Sequence, residues 1–206
     1  MIEIARIVEH QANLSSYRAT QNEARAEQLE QLIELTKPIN PSRQWHPLIA
    51  TPFRYDPPHP HTRFRPSYGK NVFYGSTTEE TALYEHAFHF MRQRMHLDIT
   101  TTTGTRTLFF VKAHDESAIH INDVAVMNKN DYSASHQFIL ANPHATFLIY
   151  PSCRDPQKQK NAAILDINHL EKTPTWETSI SFFYDNKNTR LTWINQQLHI
   201  TWKEVC

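Results

Sequence analysis

The sequence predicts an α+β fold with a compact, bent, mixed β-sheet core, flanking helices and an N-terminal helical extension. The chain has 206 residues, of which 39% are hydrophobic and 20% charged, so it can bury one substantial core but not two. Stretches with strand periodicity dominate the second half, whereas helical patterns occur early and midway. Because the two patterns do not alternate regularly, a regular α/β sheet fits less well.

Residues 1–44 are predicted to form the helical extension, and residues 45–206 a single domain. Thr20 and Glu23 have the spacing of a capping box, and apolar residues then recur at helical intervals until a proline ends the pattern. We favour a solvated polar face for this helix over a partner-binding one. Residues 2–12 are predicted to form a shorter helix before it.

The segment from Pro38 to Pro66 holds most of the prolines of the chain, which excludes long helices and predicts a stiff, extended path. Its second half reads TPFRYDPPHPHTRFRP, over residues 51–66. Linkers seldom contain so many arginines and aromatic residues. The segment is therefore predicted to be a binding loop.

A short buried strand is predicted at residues 71–75, and a helix at residues 76–95. Ser76 or Thr77, followed by glutamates three residues on, marks the start of this helix. Four apolar residues form its predicted core stripe: Leu83, Ala87, Phe90 and Met91. Glu85 lies on another face with Ala82 and His89, where a glutamate is by default a solvated residue.

The remainder of the chain is predicted to be mostly strands, with one helix at residues 131–142. The predicted strands are 106–113, 118–126, 145–151, 161–167, 179–184, 189–194 and 197–202. The sequence DNKN at residues 185–188 predicts a hairpin between two of them.

Charge and cysteine content exclude several functional classes. The 21 basic and 21 acidic residues cancel, so no overall field attracts nucleic acid or an anionic membrane. The two cysteines, Cys153 and Cys206, are too few for a disulfide framework and are typical of a reducing compartment. We therefore expect a cytoplasmic protein, with secretion by a route without a signal peptide left open.

The 13 histidines do not predict a metal site. They are scattered along the chain without paired acidic ligands. The nearest pattern, His86 and His89 beside Glu85, lacks the i, i+4 histidine pair of an H-E-x-x-H zinc motif. No metal is expected.

The arginines of the proline-rich segment are suited to phosphate. The planar guanidinium group can form two hydrogen bonds with phosphate oxygens, and Arg54, Arg63 and Arg65 lie in one stiffened loop. The helix start near Thr77 would add free backbone N–H groups. The alternative is a set of surface arginines paired with nearby acids.

An aromatic residue and a carboxylate follow these arginines. Tyr74 offers a flat face for stacking on a heterocycle, and Glu85 offers a carboxylate that can stabilise a ribosyl cation as its C–N bond breaks. Ser152 in YPSCR can also be an ordinary turn residue. Cys153 is interpreted as a spectator, and this stretch lacks the G-x-S-x-G motif of a serine hydrolase.

Two stretches resemble the RES family, which is named for Arg, Glu and Ser. They are LIATPFRYDPPHPHTRFRPSYGKNVFYGSTTEETALYEHAFH, residues 48–89, and FLIYPSCRDPQKQKNAAILD, residues 147–166. The resemblance implies a fold similar to diphtheria-toxin-like ADP-ribosyltransferases and consumption of NAD⁺ by phosphorolysis or hydrolysis. It also implies the toxin of a bacterial toxin–antitoxin pair, neutralised by a helix-turn-helix antitoxin, and the N-terminal helices look like an extension seen in one branch.

The resemblance carries over to six residues of this sequence: Arg54, Tyr55, Arg63, Tyr74, Glu85 and Ser152. It implies that Arg54 and Arg63 bind the diphosphate and that the tyrosines contact the nicotinamide and its ribose. Glu85 would hold ribose hydroxyls and stabilise the oxocarbenium-like state. Ser152 would position the nicotinamide or the nucleophile, which would be inorganic phosphate or water.

The chain departs from the family pattern around Arg63, where Thr62 and Arg65, flanked by Pro66, replace the usual small residues. This departure predicts a stiffer loop or another substrate. Two further functions stay open at this point. One is an ADP-ribosyltransferase that modifies a protein, with residues 1–37 recruiting the target, and the other is a non-catalytic module that binds an acidic segment of a partner.

Overall fold

The core of the protein is one mixed sheet. The computed structural model describes residues 1–9, 21–22, 24–25, 28–29, 32, 44–54, 62–66, 71–123 and 125–206. The strands are β1 Ile2–Glu9, β2 Phe73–Ser76, β3 Thr101–Ala113, β4 Ile119–His120, β5 Phe147–Pro151, β6 Lys160–Ile164, β7 Trp176–Asp185, β8 Asn188–Trp193 and β9 Gln196–Thr201. Their order is β4-β5-β6-β2-β1-β3-β7-β8-β9, and the pairs are antiparallel except for β4 and β5.

Four helices with bounds inside the described ranges accompany the sheet, which confirms the α+β class. They are α1 Pro47–Arg54, α2 Glu79–His96, α3 Ser133–Ala141 and α4 Trp202–Val205. A 3₁₀ turn covers Ile167–His169. No helix among the described residues combines the length and apolar character that a membrane span requires.

The prediction of a helix at residues 2–12 is wrong for residues 2–9, which form the strand β1, and residues 10–12 lie outside the described residues. Strand β1 pairs with β3 along its whole length, from Ile2 opposite Ala113 to Glu9 opposite Arg106. Alternate side chains of β1 pack into the apolar clusters on the two faces of the sheet, which matches the two-residue period of a strand. The backbone groups of β1 are satisfied by pairing with the neighbouring strands.

The rest of the predicted N-terminal extension is described only in part. Residues 24, 25, 28, 29 and 32 are helical, whereas the other residues of the predicted helix at 20–37 lie outside the described residues, apart from 21 and 22. Because residues 2–9 belong to the sheet, the first strand of the domain lies before the predicted boundary at 44. For residues 10–44, the assignment to a separate extension stays a prediction.

The proline-rich segment contains a helix that the sequence interpretation missed. Residues 47–54 form α1, which has Pro47 as its first residue and Pro52 inside. A proline at the first helical position loses no hydrogen bond, and the short helix is held by burial of Leu48 and Ile49. The predicted extended path is therefore wrong here.

The two faces of the sheet carry separate clusters of apolar side chains. On one face, α2 packs over β3, β7 and β8, and the β5–β6 end carries a second cluster that includes Phe138 of α3. On the opposite face, α1 packs against Phe73, Phe109 and their neighbours. The alternation of Leu108 and Phe109 between the two faces follows from the two-residue period of a strand.

Helix α2 begins at Glu79, three residues after the start of the predicted range of 76–95. Thr78 is its N-cap and accepts a hydrogen bond from the Thr81 backbone at 3.2 Å, whereas Ser76 ends β2. The predicted core stripe of Leu83, Ala87, Phe90 and Met91 is confirmed, since all four are buried.

The downstream strands are confirmed, with one exception. The predicted hairpin joins β7 to β8, and Asn186 and Lys187 adopt the positive φ angles, 39° and 72°, that tight hairpin turns require. The predicted strand at 118–126 shrinks to Ile119–His120. Beyond it, Asp123 accepts a hydrogen bond from the Ala125 backbone at 2.8 Å, a contact typical of turns.

Candidate active site

A cavity of about 440 Å³ lies between α2 and the sheet. We call it the central cavity, and its volume is in the range of small-molecule sites. Its wall is formed by β1, β2, β5, β6, one face of α2 and the segments around residues 63, 132 and 153. The residues that line it are Ala5, Arg6, Ile7, Thr62, Arg63, Tyr74, Gly75, Ser76, Ala82, Glu85, His86, His89, Arg92, Tyr132, Tyr150, Cys153, Arg154 and Asn161.

Glu85 faces this cavity and is half-buried. It shares a helix face with Ala82 and His89, as the helical period predicts. Its Oε1 atom accepts two hydrogen bonds of 2.6 Å, from the Ser152 hydroxyl and from the Asn161 amide. A carboxylate with two donors on one oxygen has a fixed orientation and keeps its other oxygen for a ligand.

The two donors to Glu85 are themselves fixed. The Ser152 oxygen accepts hydrogen bonds from the backbones of Arg154 and Asp155, at 3.1 and 3.0 Å, so its proton is directed to the carboxylate. The Asn161 carbonyl accepts from the Ser76 hydroxyl at 2.7 Å, which orients its NH₂ group toward Glu85. Ser152 and Asn161 are both buried, so water does not compete strongly for these bonds.

Asp155 ties the Ser152 loop to the first turn of α2. Its carboxylate accepts from the Thr81 hydroxyl at 2.8 Å and from the backbones of Gln157 and Gln159. The serine and the glutamate, 67 positions apart, are thus held by the same helix.

Arg63 is held by main-chain oxygens rather than by an acid. Its Nη1 atom donates to the carbonyls of Val126 and Asn128, both at 2.9 Å, and its guanidinium lies 4.8 Å from the centre of the Tyr132 ring. A weak contact of 3.7 Å joins Nη2 to the sulfur of Cys153. Carbonyls orient a guanidinium without neutralising its charge.

Tyr74 anchors the turn that carries Arg63. Its hydroxyl accepts from the Phe64 backbone and shares a hydrogen bond with the Thr62 hydroxyl, both at 2.9 Å. Burial raises the pKa of Tyr74 to about 12, so the phenol stays protonated at neutral pH. The residue thus fixes the loop and lines the cavity at the same time.

The cavity wall is positively charged. Four arginines line it, Arg6, Arg63, Arg92 and Arg154, and Glu85 is the only carboxylate among its described lining residues. Burial lowers the pKa of Arg154, whose guanidinium lies 3.5 Å from the Phe88 ring centre. Such an excess of guanidinium groups favours an anionic ligand.

Two other predicted site residues, Arg54 and Tyr55, are not among the described residues that line the cavity. Arg54 ends α1 and is absent from the described cavity wall, and Tyr55 lies outside the described residues. The predicted anion site at the start of α2 is weakened by two acidic residues in its first turn, Glu79 and Glu80. The Thr77 N–H is also occupied, since it donates to the Lys160 carbonyl at 2.9 Å.

Several lining residues were missed by the sequence interpretation. Asn161 is a polar residue at the head of the apolar run AAIL, a signal that could have singled it out. Arg6 interrupts the apolar alternation of IEIARIV, and His86 follows Glu85 directly. No cluster of three or more metal-binding side chains occurs in the described part of the chain.

Comparisons with known proteins identify the family. A search of curated proteins finds no match. The family model described as the RES domain matches residues 38–184, which include Arg63, Tyr74, Glu85 and Ser152 as well as Asn161. Since this match spans more than half of the 206 residues, the chain belongs to the RES domain family.

Proposed function

We propose that this protein cleaves the bond between nicotinamide and ribose in NAD⁺, by phosphorolysis or by hydrolysis. The observation that carries the proposal is the geometry of Glu85, whose carboxylate is fixed by Ser152 and Asn161 against a cavity lined by arginines. A dinucleotide presents both groups that such a cavity can bind. Its diphosphate suits the guanidinium groups, and its ribose suits the carboxylate.

The reaction requires stabilisation of positive charge at the ribose. As the C–N bond breaks, its electron pair leaves with neutral nicotinamide, and the ribosyl carbon acquires oxocarbenium character. The carboxylate of Glu85 would stabilise that charge and hold a ribose hydroxyl. An oxygen of inorganic phosphate or of water would then bond to the same carbon and lose a proton, which yields ADP-ribose 1″-phosphate or ADP-ribose.

Ser152 is assigned a positioning role in this proposal. Its hydroxyl proton is donated to Glu85 Oε1, and two backbone N–H groups occupy its oxygen. This occupancy supports orientation of the carboxylate rather than contact with the nucleophile. Tyr74 would offer its ring to the nicotinamide riboside half, and Arg63 would bind the diphosphate with nitrogen atoms other than Nη1.

The biological setting is proposed from family resemblance. A protein that depletes NAD⁺ would act as a toxin in the cytoplasm and require a neutralising partner, expected to be a helix-turn-helix antitoxin. Occupation of the central cavity would be the simplest means of inhibition. Arg54 and Tyr55 stay predicted contributors to the cofactor site.

The test is incubation of the purified chain with NAD⁺, with and without inorganic phosphate, followed by quantification of free nicotinamide. We expect nicotinamide release in parallel with ADP-ribose 1″-phosphate or ADP-ribose. The same reaction in a cell lysate tests the rival transferase, because transfer would label a macromolecule. Intact NAD⁺ under all conditions would instead support the non-catalytic binding module and contradict the proposal.

A further inference from the structure

An arginine on β1 that is half-buried lines the central cavity, and it has no negatively charged partner among the described residues. Arg6 donates from Nη1 to the Tyr74 carbonyl at 2.7 Å, and its guanidinium lies 4.6 Å from the centre of the Phe73 ring. Its Nε atom is buried and has no hydrogen-bond partner among the described residues. No ion pair within the described part of the chain involves Arg6.

The position of this guanidinium follows from the way β1 and β2 pair. The two strands pair at one position, Ala5 opposite Ser76, in contrast to the eight positions between β1 and β3. By strand alternation Arg6 belongs to the face of Ile4, opposite α2. The bond to the Tyr74 carbonyl instead holds its guanidinium between the two strands, where it lines the cavity.

A desolvated cation without a counter-ion is unfavourable for the folded protein. Burial lowers the pKa of Arg6 to about 10, yet the group stays protonated at neutral pH. One carbonyl and one aromatic ring orient it but do not neutralise it. Arg6 is therefore poised for an anion that enters the cavity.

A second buried nitrogen in the same cavity also has no partner among the described residues. It is Nε2 of His86 on α2, whose ring stacks on Phe90 with centroids 5.9 Å apart. Burial lowers the pKa of His86 to about 3, so its imidazole is neutral at pH 7 and can donate or accept one hydrogen bond at each nitrogen. Two residues that line the cavity, one on β1 and one on α2, thus each hold a polar atom that the described residues do not satisfy.

We propose that Arg6 is the anchor of a phosphate-binding subsite on β1, at residues that precede the family match to 38–184. The ligand chemistry is a phosphoryl oxygen, which would accept an N–H of the Arg6 guanidinium. It would come either from inorganic phosphate as co-substrate or from the diphosphate of NAD⁺. The assignment of either source to a reaction depends on the proposed function, whereas the binding itself does not.

The test measures binding of two probes, inorganic phosphate and ADP-ribose, by isothermal titration calorimetry. We compare wild type with Arg6→Met and use Arg190→Met as the control, since Arg190 is an exposed arginine that also stacks on an aromatic ring, 5.2 Å from the Phe183 centre. Loss of a charged hydrogen bond should raise the Kd of the bound probe about tenfold or more in Arg6→Met only. Weaker phosphate binding identifies the co-substrate, and weaker ADP-ribose binding alone identifies the diphosphate.

Unchanged affinities for both probes in a folded Arg6→Met variant would overturn the proposal. If this variant does not fold, Arg6→Lys replaces it, because lysine keeps the charge and lacks the planar guanidinium fork, and a loss of affinity in the same direction is expected. Binding of neither probe to wild type would also overturn it. Failure of the proposed function has a different signature, since a protein that binds phosphate through Arg6 but releases no nicotinamide retains the subsite and lacks the activity.

Discussion

The two walls of the central cavity hold their charges in opposite ways. On the α2 and β6 side, Glu85 is surrounded by donors, Ser152 and Asn161, whose own hydrogen bonds are satisfied. On the other side, Arg6 and Arg63 are held by backbone carbonyls and aromatic rings, and neither donates to an acidic side chain among the described residues. The Glu85 carboxylate has its donors in place in the free protein, whereas Arg6 and Arg63 retain unneutralised charge. This difference suggests a preorganised carboxylate for chemistry and a cationic wall for binding.

The largest effect is expected from removal of the carboxylate charge. Glu85→Gln keeps an oxygen that can accept from Ser152 and Asn161, so the folded structure should be retained. Loss of a charge that acts mainly in the transition state should reduce nicotinamide release about a hundredfold or more. Steady-state kinetics measures the loss, and thermal unfolding verifies the fold. Release at the wild-type rate would remove Glu85 from the mechanism.

A smaller effect is expected when the donors are removed and the charge is kept. Ser152→Ala and Asn161→Ala each delete one hydrogen bond to Glu85, and a bond to a charged group contributes about 1.5–3 kcal/mol. Each rate should fall roughly tenfold to a hundredfold. Ser181→Ala, at an exposed position of β7, is the control.

The double variant tests whether the two donors act as one unit. Because both bonds end on the same oxygen, their effects should be less than additive, with a coupling energy of about 0.5–3 kcal/mol. Strict additivity would indicate that Ser152 and Asn161 do not share the task of orienting Glu85.

The last prediction concerns acid stability on the α2 side and does not involve activity. In the unfolded chain a histidine has a pKa of about 6.5, whereas burial lowers the pKa of His86 to about 3. Between these values the unfolded state binds one more proton, so the free energy of unfolding falls as pH decreases, by at most about 1.4 kcal/mol per pH unit. His86→Gln should therefore unfold at lower pH than wild type. The exposed His199→Gln serves as control, and identical acid-unfolding midpoints for wild type and His86→Gln would contradict the buried, neutral assignment.

Local sequence patterns predicted the parts of the fold that depend on local structure. The core stripe of α2 follows from its helical period, and the β7–β8 hairpin follows from its turn residues. The apolar pattern at residues 2–9 is compatible with a helix or a strand when this segment is considered alone. The strand forms because the segment pairs with β3, which lies about a hundred positions away in the chain. Helix α1 was missed because its prolines suppressed a helical interpretation, although Pro47 is at the position that tolerates one.

The sequence also predicted those residues of the candidate site that lie in local motifs. Arg63, Tyr74, Glu85 and Ser152 occur in motifs that family resemblance singles out, and the structure gathers them at one cavity or in direct contact with it. Arg6 could not be found in this way, because its cavity position depends on the limited pairing of β1 with β2. Whether a residue outside the family motifs lines the cavity depends on tertiary packing, which local sequence patterns do not show.

The most direct test of the account is a crystal structure of Glu85→Gln with intact NAD⁺. The account predicts the nicotinamide ribose in the central cavity, with a ribose hydroxyl within hydrogen-bonding distance of residue 85, about 2.6–3.2 Å. It also predicts phosphate oxygens beside guanidinium groups of the cavity wall. A dinucleotide bound elsewhere, or bound here with its ribose turned away from residue 85, would contradict the central claim that this carboxylate acts on the glycosidic bond.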